Sequence, residues 1–391
     1  MILTAKQEEG VRIAVARYKA KEPWTCIAGY AGVGKSTLIQ HIIQALNLHE
    51  LEVAYITFTG KAALVLQHKG CPNAMTAHKF LYHSSKTPSG KFVFKPKSKR
   101  QIGEYKLVVV DEISMLDKDI WNLLLTHKIH IIACGDPFQI PPLNPEKDNH
   151  VLDNPHIFLD EILRQAAESE IIRLSMKIRN NNPIEYFKGK EVQVIKPYET
   201  VSGMYEWADQ IICATNKKKD EINSYVRNIK GKSFEPDNDD KLICTQNRWD
   251  ITDFIGSTSL VNGSIGTIDR FERKSLDLPF LFDKKKIDIL NLDLSTNENE
   301  MFVNLLVDYK YLTTGKPTLT SEEEYRVYKI NESLIPVKFD YGYAITGHRS
   351  QGSEWEKVMV LEESFPFDKE THARWLYTAC TRASERLVLV R

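Results

Sequence analysis

The sequence predicts an α/β protein built from two doubly wound, parallel-sheet units with small β insertions. Two observations lead there. Short apolar runs alternate with helical patterns in the first third and again later, and between Ile265 and Pro336 that rhythm gives way to short, charged, β-rich segments such as KIDILNLDL and MFVNLLVDY. The first series is WTCIA (24–28), VAYIT (53–57), LVVVD (107–111) and IHIIAC (129–134). After the first run, Leu38, Ile39, Ile42, Ile43 and Leu46 share one helical face and would pack against that sheet. The second series is QIICAT (210–215), a helical stretch from Lys217, KLIC (241–244), KVMVL (357–361) and RLVLV (386–390). At 391 residues the chain has room for two to three domains.

Composition is that of an ordinary globular protein, 42% hydrophobic and 27% charged. Lys+Arg and Asp+Glu are equal at 52 each, so attraction to nucleic acid has to come from local basic clusters. The six cysteines, Cys26, Cys71, Cys134, Cys213, Cys244 and Cys380, lack the close spacing of a zinc or redox motif and read as buried thiols. The amino terminus has no long apolar segment, and no run approaches the ~20 residues of a membrane span. A soluble cytoplasmic protein without a membrane partner is expected.

GYAGVGKST fits G-x-x-x-x-G-K-[ST] between a strand and a helix, which marks a P-loop from Gly29 to Thr37. Gly29, Gly32 and Gly34 let backbone N–H groups wrap the phosphates of ATP. Lys35 meets the β and γ phosphates, Ser36 offers a hydroxyl to Mg²⁺, and Thr37 completes the loop at the helix N-terminus. Asp111 and Glu112 end the LVVV strand at the carboxyl edge of the sheet, where ligands bind. Asp111 suits the Mg²⁺ shell and Glu112 suits polarising the attacking water. GDPFQIPP (135–142) ends the next strand at the same edge, and its Gln139 suits contact with the γ-phosphate and that water.

Taken in order, further blocks extend the pattern: Gln7, TFTGKAA (57–63), TAHKFL (76–81), DEISM (111–115), EILRQ (161–165), ATNKKKDEIN (214–223), LVNGSIGTI (260–268), AITGHRSQGSEW (344–355) and LYTACTRA (376–383). With these the chain resembles the superfamily 1 helicases, specifically the superfamily 1B, RecD/Dda-like 5′-to-3′ group, over nearly its whole length. The resemblance implies two RecA-like P-loop NTPase domains: 1–150, and 151–265 with 336–391. It also implies a basic β-hairpin at 84–103 inside the first and an SH3-like β insertion at 266–335 inside the second. Gln7 would bind adenine, Arg164 and Arg382 would be arginine fingers, and Gln351, Gly352 and Glu354 would couple nucleotide to DNA. DNA contacts carry over to Thr59, Lys61, Thr76, His78, Thr346 and His348.

The 84–103 segment holds six Lys/Arg and no acid, and Phe92 and Phe94 alternate as a strand would. It reads either as a strand-separating pin that stacks on the splitting base pair or as a solvated loop with two packing aromatics. Three positions depart from the family: Tyr30 replaces a small residue or Pro, Phe58 replaces Pro, and Arg349 replaces Lys. The compact form resembles the phage Dda type.

The resulting expectation is a monomeric ATP- and Mg²⁺-dependent DNA helicase acting on single-stranded DNA and duplex junctions, in company with replication or recombination proteins. The alternatives are an ATP-driven clamp or remodeller that does not separate strands, and the motor subunit of a helicase–nuclease complex.

Overall fold

The computed structural model describes residues 3–87, 92–141, 145–162, 168–256, 258–281, 284–296, 300–364 and 368–391. Arg164 and Pro142 lie outside these residues. The chain falls into two compact units, one of Met1–Tyr82, Pro96–Ala214 and Thr346–Arg391, the other of His83–Lys95 and Thr215–Ile345.

In the first unit, the leading sheet runs Ala74–Thr76, Val53–Thr57, Leu107–Val110, His130–Gly135, Trp24–Gly29, Ile157–Leu159. Every pairing is parallel. The four apolar runs expected from the sequence form its centre. Alternate residues feed opposite faces: Val108 and Val110 join one core with Ile56 and Ile131, whereas Leu107 and Val109 join another with Ile27 and Ile132. Burial on both faces is why these strands are continuously apolar. Leu38, Ile39, Ile42 and Ile43 of the Lys35–Ala45 helix pack into the second core, with Leu46 partly buried beside them. The outer strands Ala74–Thr76 and Ile157–Leu159 are too short to show a period in sequence.

A second sheet in this unit places Gln210–Cys213, Trp355–Leu361, Ala383–Val390 and Val192–Ile195 side by side in parallel, edged by antiparallel Phe187–Lys188. Its parallel order matches the alternating pattern read from the sequence.

KLIC departs from that pattern. Lys241–Cys244 does not join the parallel sheet; it pairs antiparallel with Ile265–Leu278 and with Phe339–Tyr341. A four-residue buried run looks the same in either setting, so the apolar pattern could not separate them. These strands continue through Lys285–Thr296 to Met301–Asp308 as a five-stranded antiparallel sheet, the centre of the second unit. Leu242, Ile268, Leu292, Phe302 and Phe339 fill its core.

The Asn216–Ile229 helix belongs to this second unit, and its polar residues Lys219, Asn223 and Arg227 are buried. At i, i+4 and i+8 they share one face. Lys219 pairs with Asp340 at 3.3 Å, the Asn223 amide donates to Tyr341 O at 3.0 Å, and Arg227 meets Asp240 through two nitrogens at 3.0 and 3.1 Å. The charged look of KKKDEIN therefore conceals a buried polar seam. Tyr82–Lys86 and Phe92–Pro96 form a separate two-stranded sheet; the 84–103 segment expected to be a hairpin thus supplies most of these strands, but its end is the short Lys99–Ile102 helix.

None of the six cysteines is in a disulfide, and five of them are buried. Burial pushes the Cys26 thiol up to about 12. Among the described residues no helix is long and apolar enough to cross a membrane.

Candidate nucleotide and nucleic-acid site

Gly32 and Gly34 both have φ of 77°, the left-handed conformation that glycine adopts without strain. The turn they form ends at Gly34, the N-cap of the Lys35–Ala45 helix. A Cβ at Gly29 would lie 2.8 Å from Leu159 O and 2.9 Å from Val33 Cγ2, so the loop leaves the strand through a gap only glycine fits. Lys35 Nζ donates to Gly29 O and Tyr30 O at 2.8 and 2.9 Å, which seats the ammonium on the loop's own carbonyls. The first turn of the helix, with Ser36 exposed and Thr37 half-buried, leaves N–H groups for an anion.

Gln7 is buried. Its Oε1 accepts from Thr4 N at 3.0 Å, and Nε2 donates to Val33 O at 3.2 Å. The residue thus caps its own helix and props the P-loop, with one amide proton still to place.

At the end of the central strand, Asp111 Oδ1 accepts from the Glu112 N–H at 3.0 Å. As a residue Asp111 is half-buried, but its carboxyl is set deep. Burial first, then the Glu112 charge, raise its pKa to about 6, with Lys35 pulling the other way. Glu112 has φ 53° and ψ 49°, a strained backbone for a residue with a side chain. Its Oε2 is buried without a hydrogen-bond partner among the described residues. A carboxylate oxygen held in this way is suited to receive a water or a proton. Gln139 is similar: it is buried, and its Oε1 is unpartnered among the described residues. A cavity of about 600 Å³ bordered by Asp136, Gln139 and Arg374 opens beside it.

The carboxyl-terminal blocks meet this edge directly. Tyr377 OH donates to Asp136 Oδ2 at 2.6 Å and accepts from the P-loop Ala31 N–H at 3.0 Å. Ile140, next to Gln139, is held from both sides: its N–H donates to Thr378 Oγ1 at 3.0 Å, and its carbonyl accepts from Gln351 Nε2 at 3.1 Å. Gly352, at φ 72°, would bring a Cβ to 3.1 Å from Ala62 Cβ and 3.6 Å from Thr59 Oγ1, so RSQG lies against TGKAA. Arg382 is buried and donates to Thr378 O at 3.1 Å and Ser353 O at 3.2 Å. These carbonyls take two of its five N–H groups and leave its charge without a carboxylate among these contacts. Glu354 is exposed.

Each threonine named for DNA stands just before a helix. Thr59 Oγ1 accepts from Ala62 N and Thr76 Oγ1 from Lys79 N, both at 3.2 Å, while Thr346 makes no capping bond. Lys61 lies 5.2 Å over the Trp355 ring, and exposed His78 lies against Tyr82 with ring centroids 5.8 Å apart. His348 is half-buried, and burial lowers its pKa. On the hairpin Phe94 is exposed, and the Phe92 side chain lies outside the described residues.

Sequence reasoning missed Asp136, Tyr377 and Thr378, although each sits inside a block it had singled out. Tyrosine and threonine carry no chemistry in isolation; their partners come from distant parts of the chain. The Ser36 hydroxyl and the Asp111 carboxyl are oxygen donors of the kind a magnesium ion takes. Among the described residues no cluster of three or more His, Cys, Asp or Glu could by itself hold a metal ion.

Residues 3–196 match the family model described as an AAA domain, and residues 341–390 match the UvrD-like helicase C-terminal domain. The chain is 26% identical over 264 residues to the ATP-dependent DNA helicase dda of Enterobacteria phage T4, covering 61% of this chain and 58% of that protein. It is 24% identical over 387 residues to the ATP-dependent RecD2 DNA helicase of Deinococcus radiodurans, covering 92% of this chain and 46% of that one. The chain thus spans less than two thirds of either relative. A crystal structure of Bacteroides Pif1 bound to ssDNA superposes with a TM-score of 0.55 at 16% identity, covering 100% of this chain and 92% of that one, which establishes a shared fold.

Proposed function

We propose, from the premise that this chain belongs to the superfamily 1B helicases, that it is an ATP-driven motor moving 5′ to 3′ on single-stranded DNA and unwinding duplex. The observation that carries this reading is the double hold on Ile140. The segment that presents Gln139 to the nucleotide edge is bonded to Gln351 and Thr378, in the blocks expected to sense DNA and to supply the arginine finger. A change at the γ-phosphate thereby has a mechanical route to the DNA-facing segments.

Lys35 and the first-turn N–H groups bind the phosphates in this scheme, and Glu112 takes the proton of the attacking water. Gln139 orients that water. Ser36 and Asp111 would hold Mg²⁺, which supplies neutralisation of phosphoryl charge. Arg382 and Arg164 would stabilise the transferring group, an arrangement worth about 10³ to 10⁵ in rate in GTPases. Gln7 is assigned to adenine through its remaining amide proton. Gly352 and Glu354 join Gln351 in coupling nucleotide to DNA. Thr59, Lys61, Thr76, His78, Thr346 and His348 are assigned to the strand, and the hairpin aromatics Phe92 and Phe94 to the junction. The two parallel sheets of the first unit serve as the two RecA-like lobes.

The test compares 5′-tailed with 3′-tailed duplexes, using Lys35→Ala as the inactive control. Unwinding confined to the 5′ tail supports the proposal. Unwinding only from the 3′ tail reverses the polarity, and single-strand-stimulated ATP hydrolysis without strand opening favours a remodeller.

A further inference from the structure

Tyr30 departs from the small residue or proline usual at its position in the P-loop, and nothing in the scheme above requires an aromatic there. The structure gives it an occupation. The Arg179 guanidinium lies 3.6 Å from the centroid of the Tyr30 ring. The edge of that ring is held by Phe158, with centroids 5.5 Å apart and planes at 86°. Arg179 ends the Glu170–Arg179 helix, whose Ile171, Leu174 and Ile178 are buried, so the helix sets its position. The side chain is half-buried, yet among the described residues it donates no hydrogen bond and forms no ion pair. The Asp160 carboxyl, held low mainly by Lys6, also feels the Arg179 charge, but the five N–H donors of that guanidinium keep their capacity for an anion's oxygens.

The same Tyr30 anchors a second cation, because its carbonyl accepts from Lys35 Nζ at 2.9 Å. One loop residue therefore holds Lys35 through its main chain and Arg179 through its ring. The charge of Arg179 is felt by Tyr377, where it opposes the upward push of burial and of Asp136. Tyr377 is bonded to Asp136 and to Ala31, the residue after Tyr30. Asp136 in turn feels both Lys35 and Glu112. The stacking on Tyr30 puts Arg179 against the start of the P-loop, the element that wraps the phosphates.

We infer that Arg179 is a phosphate-reading arginine, stored on the Tyr30 ring and presented to the terminal phosphate of a bound nucleoside triphosphate. The inference rests on the nucleotide-site reading above and adds a cation to it. The guanidinium's fork matches phosphate oxygens, which the ring cannot replace. Tyr30 already holds the guanidinium in place, so little rotamer freedom remains to be lost on binding.

The test measures equilibrium binding of a fluorescent non-hydrolysable ATP analogue and of the matching ADP to the full chain, with melting curves to confirm folding. Arg179→Gln, which keeps a planar polar end without the charge, is expected to weaken analogue binding tenfold or more and to leave ADP within twofold. Arg179→Lys should recover part of the preference for triphosphate, and Tyr30→Ala should give an intermediate loss. Equal weakening of both nucleotides by Arg179→Gln, or unchanged binding of both, overturns the inference and leaves the motor reading standing. A wild-type chain that binds neither nucleotide overturns both.

Discussion

Asp111 shows the opposition between function and stability at the level of one side chain. Burial and the Glu112 charge raise its carboxyl from 3.8 to about 6. Between those values the folded chain holds this proton more tightly than the unfolded chain. Stability from this group is therefore greatest below the lower value and falls as pH rises, with the full loss reached above about 6. That loss is on the order of 3 kcal/mol, at about 1.4 kcal/mol per unit. Asp111→Asn removes the charge, so at pH 8 its urea midpoint should lie above that of the native protein by about 1–3 kcal/mol in stability. The gain should vanish near pH 4, and ATP hydrolysis should be lost at every pH. Tyr377 gives the opposite result. Its hydroxyl serves two buried groups, Asp136 Oδ2 and Ala31 N–H, and Tyr377→Phe orphans both. Urea unfolding should report a loss of about 1–3 kcal/mol.

At the scale of elements, the hairpin of Tyr82–Lys86 and Phe92–Pro96 and the turn at Ser350–Ser353 bear different kinds of load. The hairpin exposes Phe94 and Val93 on a strand that, among the described residues, pairs with Tyr82–Lys86. If it splits base pairs, Phe92→Ala with Phe94→Ala should abolish strand opening in a fluorescence unwinding assay while single-strand-stimulated ATP hydrolysis persists. Intact unwinding would reduce the hairpin to a solvated loop. The turn is tied to the sheet edge that carries Gln139: Gln351 reaches Ile140, and Gly352 lies against Ala62. The sequence displayed the hairpin because its alternation and missing acids are local properties. It displayed the turn only as a block of letters, since Ile140 is an unremarkable residue until Thr378 and Gln351 fold onto it.

For the whole molecule, formal net charge is zero, so any hold on DNA must be local. Each lysine–phosphate contact on a single strand contributes about 0.7 to the slope of log affinity against log salt. Lys61→Ala should lower that slope by about this amount and weaken binding to all strand sequences alike, as measured by fluorescence anisotropy over a salt series. Unchanged slope would place Lys61 off the phosphates and leave it as the cation over Trp355. The sequence by itself determined the parallel strands, the P-loop and the carboxylate pair after LVVV. Those features rest on neighbouring residues: apolar continuity, glycine spacing and a strand end. Only tertiary structure decided that KLIC belongs to an antiparallel sheet, that Lys219, Asn223 and Arg227 are buried, and that Tyr30 carries Arg179. Each of these depends on which distant segment comes alongside, and the pairing energy of a short strand or a polar side chain resides in its partner.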